Sequence, residues 1–224
     1  EGVPIKVVFR FMWQRKGVYI ALFLGASMMA MAGYGTSAWY PEFFFRNYGM
    51  SKSEAGVTYG TIVLVAGSVG VMLGAWLARQ LEERGYTDAY VRAIFLTSMV
   101  GAPLMSIAPL THDPTWNVIL LWPGVIIAGS YLGVLAVAMV VITPNEMRGQ
   151  VTAIYLFVTN ILGMAVGTSV LAAFTDFLFQ DDALLHYSIA TACGLFYPIA
   201  AVSFWFALAP YRRAVKDIGN WNLS

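Results

Sequence analysis

The apolar positions of this chain fall into six long runs, about 17–40, 54–78, 89–110, 116–143, 148–175 and 184–209. Short stretches between them hold most of the charges and turn residues. A helix needs about 20 apolar residues to cross the hydrocarbon core of a bilayer. Each run reaches that length, and some exceed it enough to tilt. None shows the roughly ten-residue alternation of a membrane β-barrel. Backbone polar groups inside lipid must pair within their own segment, so the runs predict helices. The expected fold is an all-α polytopic membrane protein with six transmembrane helices. Residues 1–16 read as an amphipathic cytoplasmic lead-in, 17–210 as the transmembrane bundle and 211–224 as a cytoplasmic tail.

Charge orients this pattern. Threading six spans alternates the loops between two sides. One side collects Lys6, Arg10, Arg15, Lys16, Arg79, Arg84, Arg92, Arg148, Arg212, Arg213 and Lys216; the other holds only Arg46 and Lys52. The positive-inside rule then places both termini in the cytoplasm, with the plasma (inner) membrane as the expected location. Hydrophobic residues make up 59% and charged residues 11% of the chain, where a soluble domain carries roughly a quarter charged residues. Lipid must cover the rest. The net charge of +1 gives no nucleic-acid signal, and the basic residues suit lipid headgroups at cytoplasmic helix ends. The single cysteine, Cys193, lies in an apolar run and is expected to be a buried, inert thiol. The chain starts at Glu1 without methionine and is expected to belong to a longer protein.

Punctuation sets the helix ends. Trp39-Tyr40-Pro41 predicts a stop for the first helix, and Ser51 or Ser53 a cap for the second, with Glu54 in its first turn. The second is expected to leave the membrane near Ala78. Pro109 closes the third, Pro144 to Gly149 form an inner turn, and Pro210 is expected to end the sixth. Three helices followed by three suggest an inverted repeat, 17–110 and 116–210. The supporting pairs are Arg46 and Gly49 against Arg148 and Gly149, and Gly70-xxx-Gly74 against Gly163-xxx-Gly167. The second and fifth helices are rich in small residues, which let backbones approach closely in lipid. Static packing and a sliding contact both fit that pattern.

Polar residues inside the helices are sparse and uncharged. Ser27, Ala30, Tyr34 and Ser37 share one face of the first helix, and Thr152, Tyr155, Thr159 and Gly163 one face of the fifth, with Asn160 beside them. The fourth carries Ser130 and Tyr131. These groups can either bond between helices or face a polar path. No Asp, Glu, Lys, Arg or His lies mid-span, so a titratable coupling group is expected outside this chain. The two histidines, His112 and His186, form no HExxH pattern, and no phosphate-binding or dinucleotide glycine fingerprint occurs. Gly25-Ala26-Ser27-Met28 lacks the glycine of an intramembrane serine protease turn. The sequence therefore predicts no catalytic residue, metal or cofactor.

Three stretches carry a family resemblance. Gly70-Val-Met-Leu-Gly74-Ala-Trp-Leu-Ala78-Arg79-Gln-Leu-Glu-Glu-Arg84-Gly85 resembles the cytoplasmic loop signature G-x-L-A-D-R-x-G-R-R of the major facilitator superfamily, with Ala78 where the motif has aspartate. Trp39 to Gly56 is similar to a pattern of the Spinster-like branch. Pro144-Asn-Glu-Met-Arg148-Gly-Gln leads into Asn160-Ile-Leu-Gly163-Met-Ala-Val-Gly167-Thr168, similar to the family's fifth helix, with Thr168 and Ala172 where many relatives have proline and glycine. The resemblance implies the C-terminal six-helix half of a twelve-helix transporter, partnered by an N-terminal half not in this chain. It implies alternating access and a small-molecule substrate, organic or amphiphilic and lipid-like, with symport as the expected mode. It directs Tyr34, Ser37, Tyr131, Tyr155 and Asn160 to the substrate cavity, and Gly70, Gly74, Arg79, Arg84, Arg148, Gly163 and Gly167 to gating. The alternative is a self-sufficient bundle that forms a homo-oligomeric channel or half-transporter.

Overall fold

The computed structural model describes residues 3–221, with side chains described to Ile218. Residues 1–2 of the predicted lead-in and 222–224 of the predicted tail lie outside the described residues. A short helix α1 (Ile5–Gln14) precedes six helices long and apolar enough to span a membrane. These are α2 (Lys16–Tyr48), α3 (Lys52–Glu83), α4 (Ala89–Leu110), α5 (Pro114–Val141), α6 (Asn145–Phe179) and α7 (Asp182–Ile218). No strand occurs among the described residues. In α1, Val8 and Phe11 are buried, while Lys6, Phe9, Arg10 and Trp13 are exposed.

Two proline stops expected from sequence do not end their helices. The first span continues through Pro41 to Tyr48 and ends at Gly49, whose φ of 66° is left-handed. Pro41 removes one donor from the helix ladder, but the residues around it are held by packing. Tyr40, Phe43 and Phe44 are fully buried and meet ring to ring at 5.5–5.7 Å. The sixth span likewise runs past Pro210, because Tyr211 is fully buried and its hydroxyl donates to Ala138 O at 3.1 Å. Ser51, rather than Ser53, caps α3. Its Oγ accepts from the Glu54 N–H, while the Glu54 carboxylate accepts from the Ser51 N–H, a reciprocal capping box. In the turn before α5, Asp113 accepts from the Thr115 and Trp116 N–H groups, which hold its carboxyl below the usual carboxylate range.

The packing follows the three-plus-three pattern. Helix α2 packs on α6 and α7, α5 packs on α3 and α4, and α4 packs on α7. Exchanging α2, α3 and α4 for α5, α6 and α7 maps this set of contacts onto itself. Small residues make the two matching crossings possible. A Cβ on Gly70 would strike Ile126 O, one on Gly74 would strike Ser130 O, and one on Gly129 would lie 2.8 Å from Gly67 O. At the other crossing a Cβ on Gly167 would lie 2.6 Å from the Met31 backbone, and one on Gly163 would collide with the Tyr34 ring. The pairing of Gly49 with Gly149 is not equivalent in the same way: Gly49 is a left-handed helix end, whereas Gly149 lies inside a helix. Helix α6 also departs from α geometry over Leu162–Gly167 and Phe174–Phe179, which are π-helical.

Helices α3 and α6 are the least covered. Only 28% and 22% of their apolar windows are buried, against 44–56% for the other four. Their uncovered faces carry small and apolar side chains, such as Gly56 and Gly60 on α3, where an added Cβ meets nothing within 4 Å.

This difference between glycines is testable. Gly74→Leu and Gly167→Leu are expected to abolish the monodisperse folded protein in detergent, because backbone lies where the side chain would go. Gly60→Leu is expected to leave elution profile and melting temperature close to wild type. Size-exclusion chromatography with thermal melts reads both outcomes.

Candidate functional site

A cavity of about 280 Å³ opens between α2, α3 and α5, with Met105 of α4 contributing to its wall. Its polar groups are Tyr34, Thr36 and Ser37 from α2, Tyr59 from α3 and Tyr131 from α5. Tyr34 is 39% exposed, whereas Tyr59 and Tyr131 are buried. The Tyr34 hydroxyl donates to Asn160 Oδ1 at 2.6 Å, and Asn160 Nδ2 donates in turn to Leu156 O at 2.7 Å. The backbone carbonyl thus fixes which end of the amide faces the phenol. Ser37 Oγ and the Tyr59 hydroxyl lie 3.3 Å apart, and the Tyr59 ring stacks on Tyr40 at 5.4 Å. Thr36 turns its hydroxyl back onto Ala32 O at 2.7 Å, so it offers the cavity its methyl and one acceptor.

Of the predicted cavity residues, Tyr34, Ser37 and Tyr131 line this space, and Asn160 reaches it through Tyr34. Tyr155 does not line it: it is buried with its ring edge against Phe23 at 6.3 Å. Tyr59 was not among the expected residues. Its signal is the row Tyr59, Val63 and Gly67, spaced by four along one face of α3. The lining residues carry no charge. Phenol and hydroxyl groups can exchange hydrogen bonds with a ligand and offer aromatic edges, but they cannot neutralise an ion. Among the described residues no group of three or more His, Cys, Asp or Glu side chains could hold a metal.

The helix ends on the side of α1 carry a second set of polar contacts. Arg79 pairs only with Glu83, one turn away at 2.8 Å, and both are exposed; Arg84 is also exposed. Arg148 donates through Nε to Val140 O and Thr143 O, both at 3.1 Å, so it caps the end of α5. Tyr19 adds a hydroxyl contact of 2.8 Å to Thr143. The carboxylate that joins elements here is Asp88, which is 1% exposed. It accepts two bonds of 3.1 Å from Arg92 and one of 2.7 Å from Arg212 of α7. Sequence reading missed this junction because Asp88 and Arg212 lie 124 positions apart and both look like ordinary interfacial charges. Gly70, Gly74, Gly163 and Gly167 occupy the helix crossings described above.

Removing the buried carboxylate is expected to matter more than removing an exposed pair. Asp88→Asn should lower stability by about 2 kcal/mol through weakened charge-assisted bonds, whereas Arg79→Ala, which removes one side of a solvent-exposed pair, should leave it nearly unchanged. Thermal melts of the two variants side by side check the ranking.

Known proteins share this architecture. Among solved structures, a bacterial homolog to the human lysosomal transporter Spinster, inward-facing and unoccupied, superposes with a TM-score of 0.66 at 20% identity, over 93% of this chain and 49% of that one. The inward-facing occupied form gives 0.61 at 20% identity, over 89% and 49%. An MFS-type efflux pump of Mycolicibacterium smegmatis is 28% identical over 205 residues, covering 91% of this chain and 47% of that protein. Solute carrier organic anion transporter family member 4A1 of Mus musculus is 34% identical over 71 residues, 32% of this chain and 10% of that protein. The chain spans about half the length of the efflux pump and of the solved structures. The sequence profile of the Major Facilitator Superfamily matches residues 1–168. With six apolar spans and that match, the chain is an integral membrane protein that belongs to the Major Facilitator Superfamily.

Proposed function

We propose that this chain is the C-terminal six-helix half of a secondary transporter that works by alternating access, with 17–110 and 116–210 as its two inverted repeats. The observation that carries the reading is an uncharged, tyrosine-rich cavity on a bundle whose α3 and α6 helices leave apolar faces uncovered. A second, N-terminal bundle would cover those faces and close the other side of the cavity. Membrane lipid would surround the rest. The substrate in this reading is a small organic or amphiphilic, lipid-like solute. Phenols and aliphatic side chains favour such a molecule over a bare inorganic ion, since no lining residue balances a charge. The organic anion transporter among its relatives names an organic solute, which supports that class. Tyr34, Ser37, Tyr131 and Asn160 bind the solute, and Tyr155 holds the wall from behind.

In this mechanism the two glycine crossings let α3 and α6 shift along α5 and α2 as the bundle rocks. Gly70, Gly74, Gly163 and Gly167 are the contact surfaces. Arg148 fixes the end of α5, while Arg79 and Arg84 face the other bundle at the cytoplasmic gate. Any symport proton or ion would titrate a group in the N-terminal half. Both termini of this half face the cytoplasm, and the bilayer is the plasma (inner) membrane.

Transport by the native protein in proteoliposomes tests the reading. Tyr34→Phe is expected to weaken half-saturation for a labelled amphiphilic organic substrate by roughly fivefold, the worth of about one hydrogen bond, with the folded yield unchanged. Asn160→Ala is expected to act in the same direction. Wild-type kinetics in both variants would contradict the cavity assignment.

A further inference from the structure

Helix α2 enters the membrane as a ridge between two apolar grooves. The first, of about 810 Å³, runs between α2 and α7, with Pro198, Val202 and Phe206 on its far wall. The second, of about 430 Å³, runs between α2, α1 and α6, with Phe9, Met12 and Val158 on its far wall. Both share the same four ridge residues: Trp13, Lys16, Ile20 and Leu24. Lys16 is the only charged side chain lining either groove. Its ammonium lies 5.4 Å from the Trp13 ring centroid, and among the described residues it takes part in no ion pair. Ile20, at 57% exposed, and Leu24, at 45%, continue the ridge inward. From Lys16 to Leu24 the ridge extends roughly 12 Å along the helix axis.

We infer that this ridge seats one anionic diacyl phospholipid of the cytoplasmic leaflet, its phosphate on Lys16 and one acyl chain in each groove. One cation at the point where two apolar channels meet matches one headgroup bearing two chains. A fatty acid or a lysophospholipid would leave one channel empty. With the termini cytoplasmic, as proposed above, Trp13 would stand at headgroup depth, where an indole is at home, and the leaflet on this side would carry the anionic lipids that attract lysine. The seat lies apart from the polar cavity, so it does not depend on what the transporter carries. Its structural effect would be to tie α1, α6 and α7 to α2 at the membrane surface.

Native mass spectrometry of the native protein, released from nanodiscs of equal phosphatidylglycerol and phosphatidylcholine, tests the seat; lysophosphatidylglycerol is titrated separately. Wild type is expected to retain one phosphatidylglycerol in preference to phosphatidylcholine, and to bind the single-chain lipid more weakly. Lys16→Gln is expected to lower retention roughly fivefold, the effect of one lysine near a charged surface, and Lys16→Arg to restore it. Val202→Trp, at an exposed position in the larger groove, is expected to reduce retention with Lys16 intact. Equal retention of the two diacyl lipids would mean ordinary annular lipid. Equal binding of the single-chain lipid would mean a one-chain site. No retained lipid would mean that protein covers the grooves. Each of these three results overturns the inference, as does unchanged retention in Lys16→Gln.

Discussion

The close approach of helix backbones at two crossings is the constraint on which the rest of the bundle depends. In lipid there is little hydrophobic gain from bringing helices together, so association relies on van der Waals contact over surfaces without bulk. Gly70 and Gly74 set α3 directly on the carbonyls of Ile126 and Ser130, and Gly167 sets α6 on the backbone at Met31. Neither crossing admits a Cβ. With α3 against α5 and α6 against α2, helices α4 and α7 meet behind them, and the two halves of the bundle repeat one arrangement. The cavity then falls where α2, α3 and α5 converge. Gly163 opens the space that the Tyr34 ring fills, which brings its phenol to Asn160.

Polar chemistry is distributed by depth. Polar groups inside the spans are neutral, and several bond one another: Tyr34 with Asn160, Ser37 with Tyr59 and, near the helix ends, Thr175 with Ser188 at 2.8 Å. Charged groups sit at the ends. Arg46 joins Glu42 and Asp182 at one end of the bundle, at 2.7 and 3.3 Å, and Asp88 joins Arg92 and Arg212 at the other. A buried carboxylate flanked by two guanidinium groups is tolerable at a helix end, where both arginines keep part of their surface in water. The π-helical stretch Leu162–Gly167 adds a local irregularity between Asn160 and the Gly167 crossing. Such bulges bend a helix and free backbone groups, so the wall behind Tyr34 is not a uniform helical rod.

The six spans and the three-plus-three order were legible because lipid imposes a simple rule on composition and length. The paired glycine motifs were equally legible, since only small residues permit such crossings. What sequence reading got wrong were ends fixed by tertiary contact. Pro41 and Pro210 read as stops, yet an aromatic cluster at Tyr40, Phe43 and Phe44 and the buried Tyr211 hold the helix through each. At the cavity, helical spacing set Tyr34 and Ser37 on one face of α2, and both line the space, as does Tyr131, while Asn160 meets it only through Tyr34. Tyr155 shares a helical face with Gly163, but a face one residue wide does not separate cavity from core, and Phe23 takes its ring. Tyr59 escaped notice because its helix reads as a run of small residues. The Asp88 junction depends on pairing across most of the chain, which no local pattern encodes.

The measurement closest to the central claim is chemical access to the cavity wall. Cys193, the one cysteine of this chain, is fully buried and is expected to stay silent towards a charged, membrane-impermeant thiol reagent. Ser37→Cys, on the proposed solute path, should label from water in the native protein. Trp205→Cys, which is 58% exposed and packs on Phe95 at the α4–α7 surface, should remain unlabelled in lipid. That difference would show a hydrated path along α2 and a lipid face on α7. Equal labelling of both positions, or labelling of Trp205→Cys alone, would contradict it.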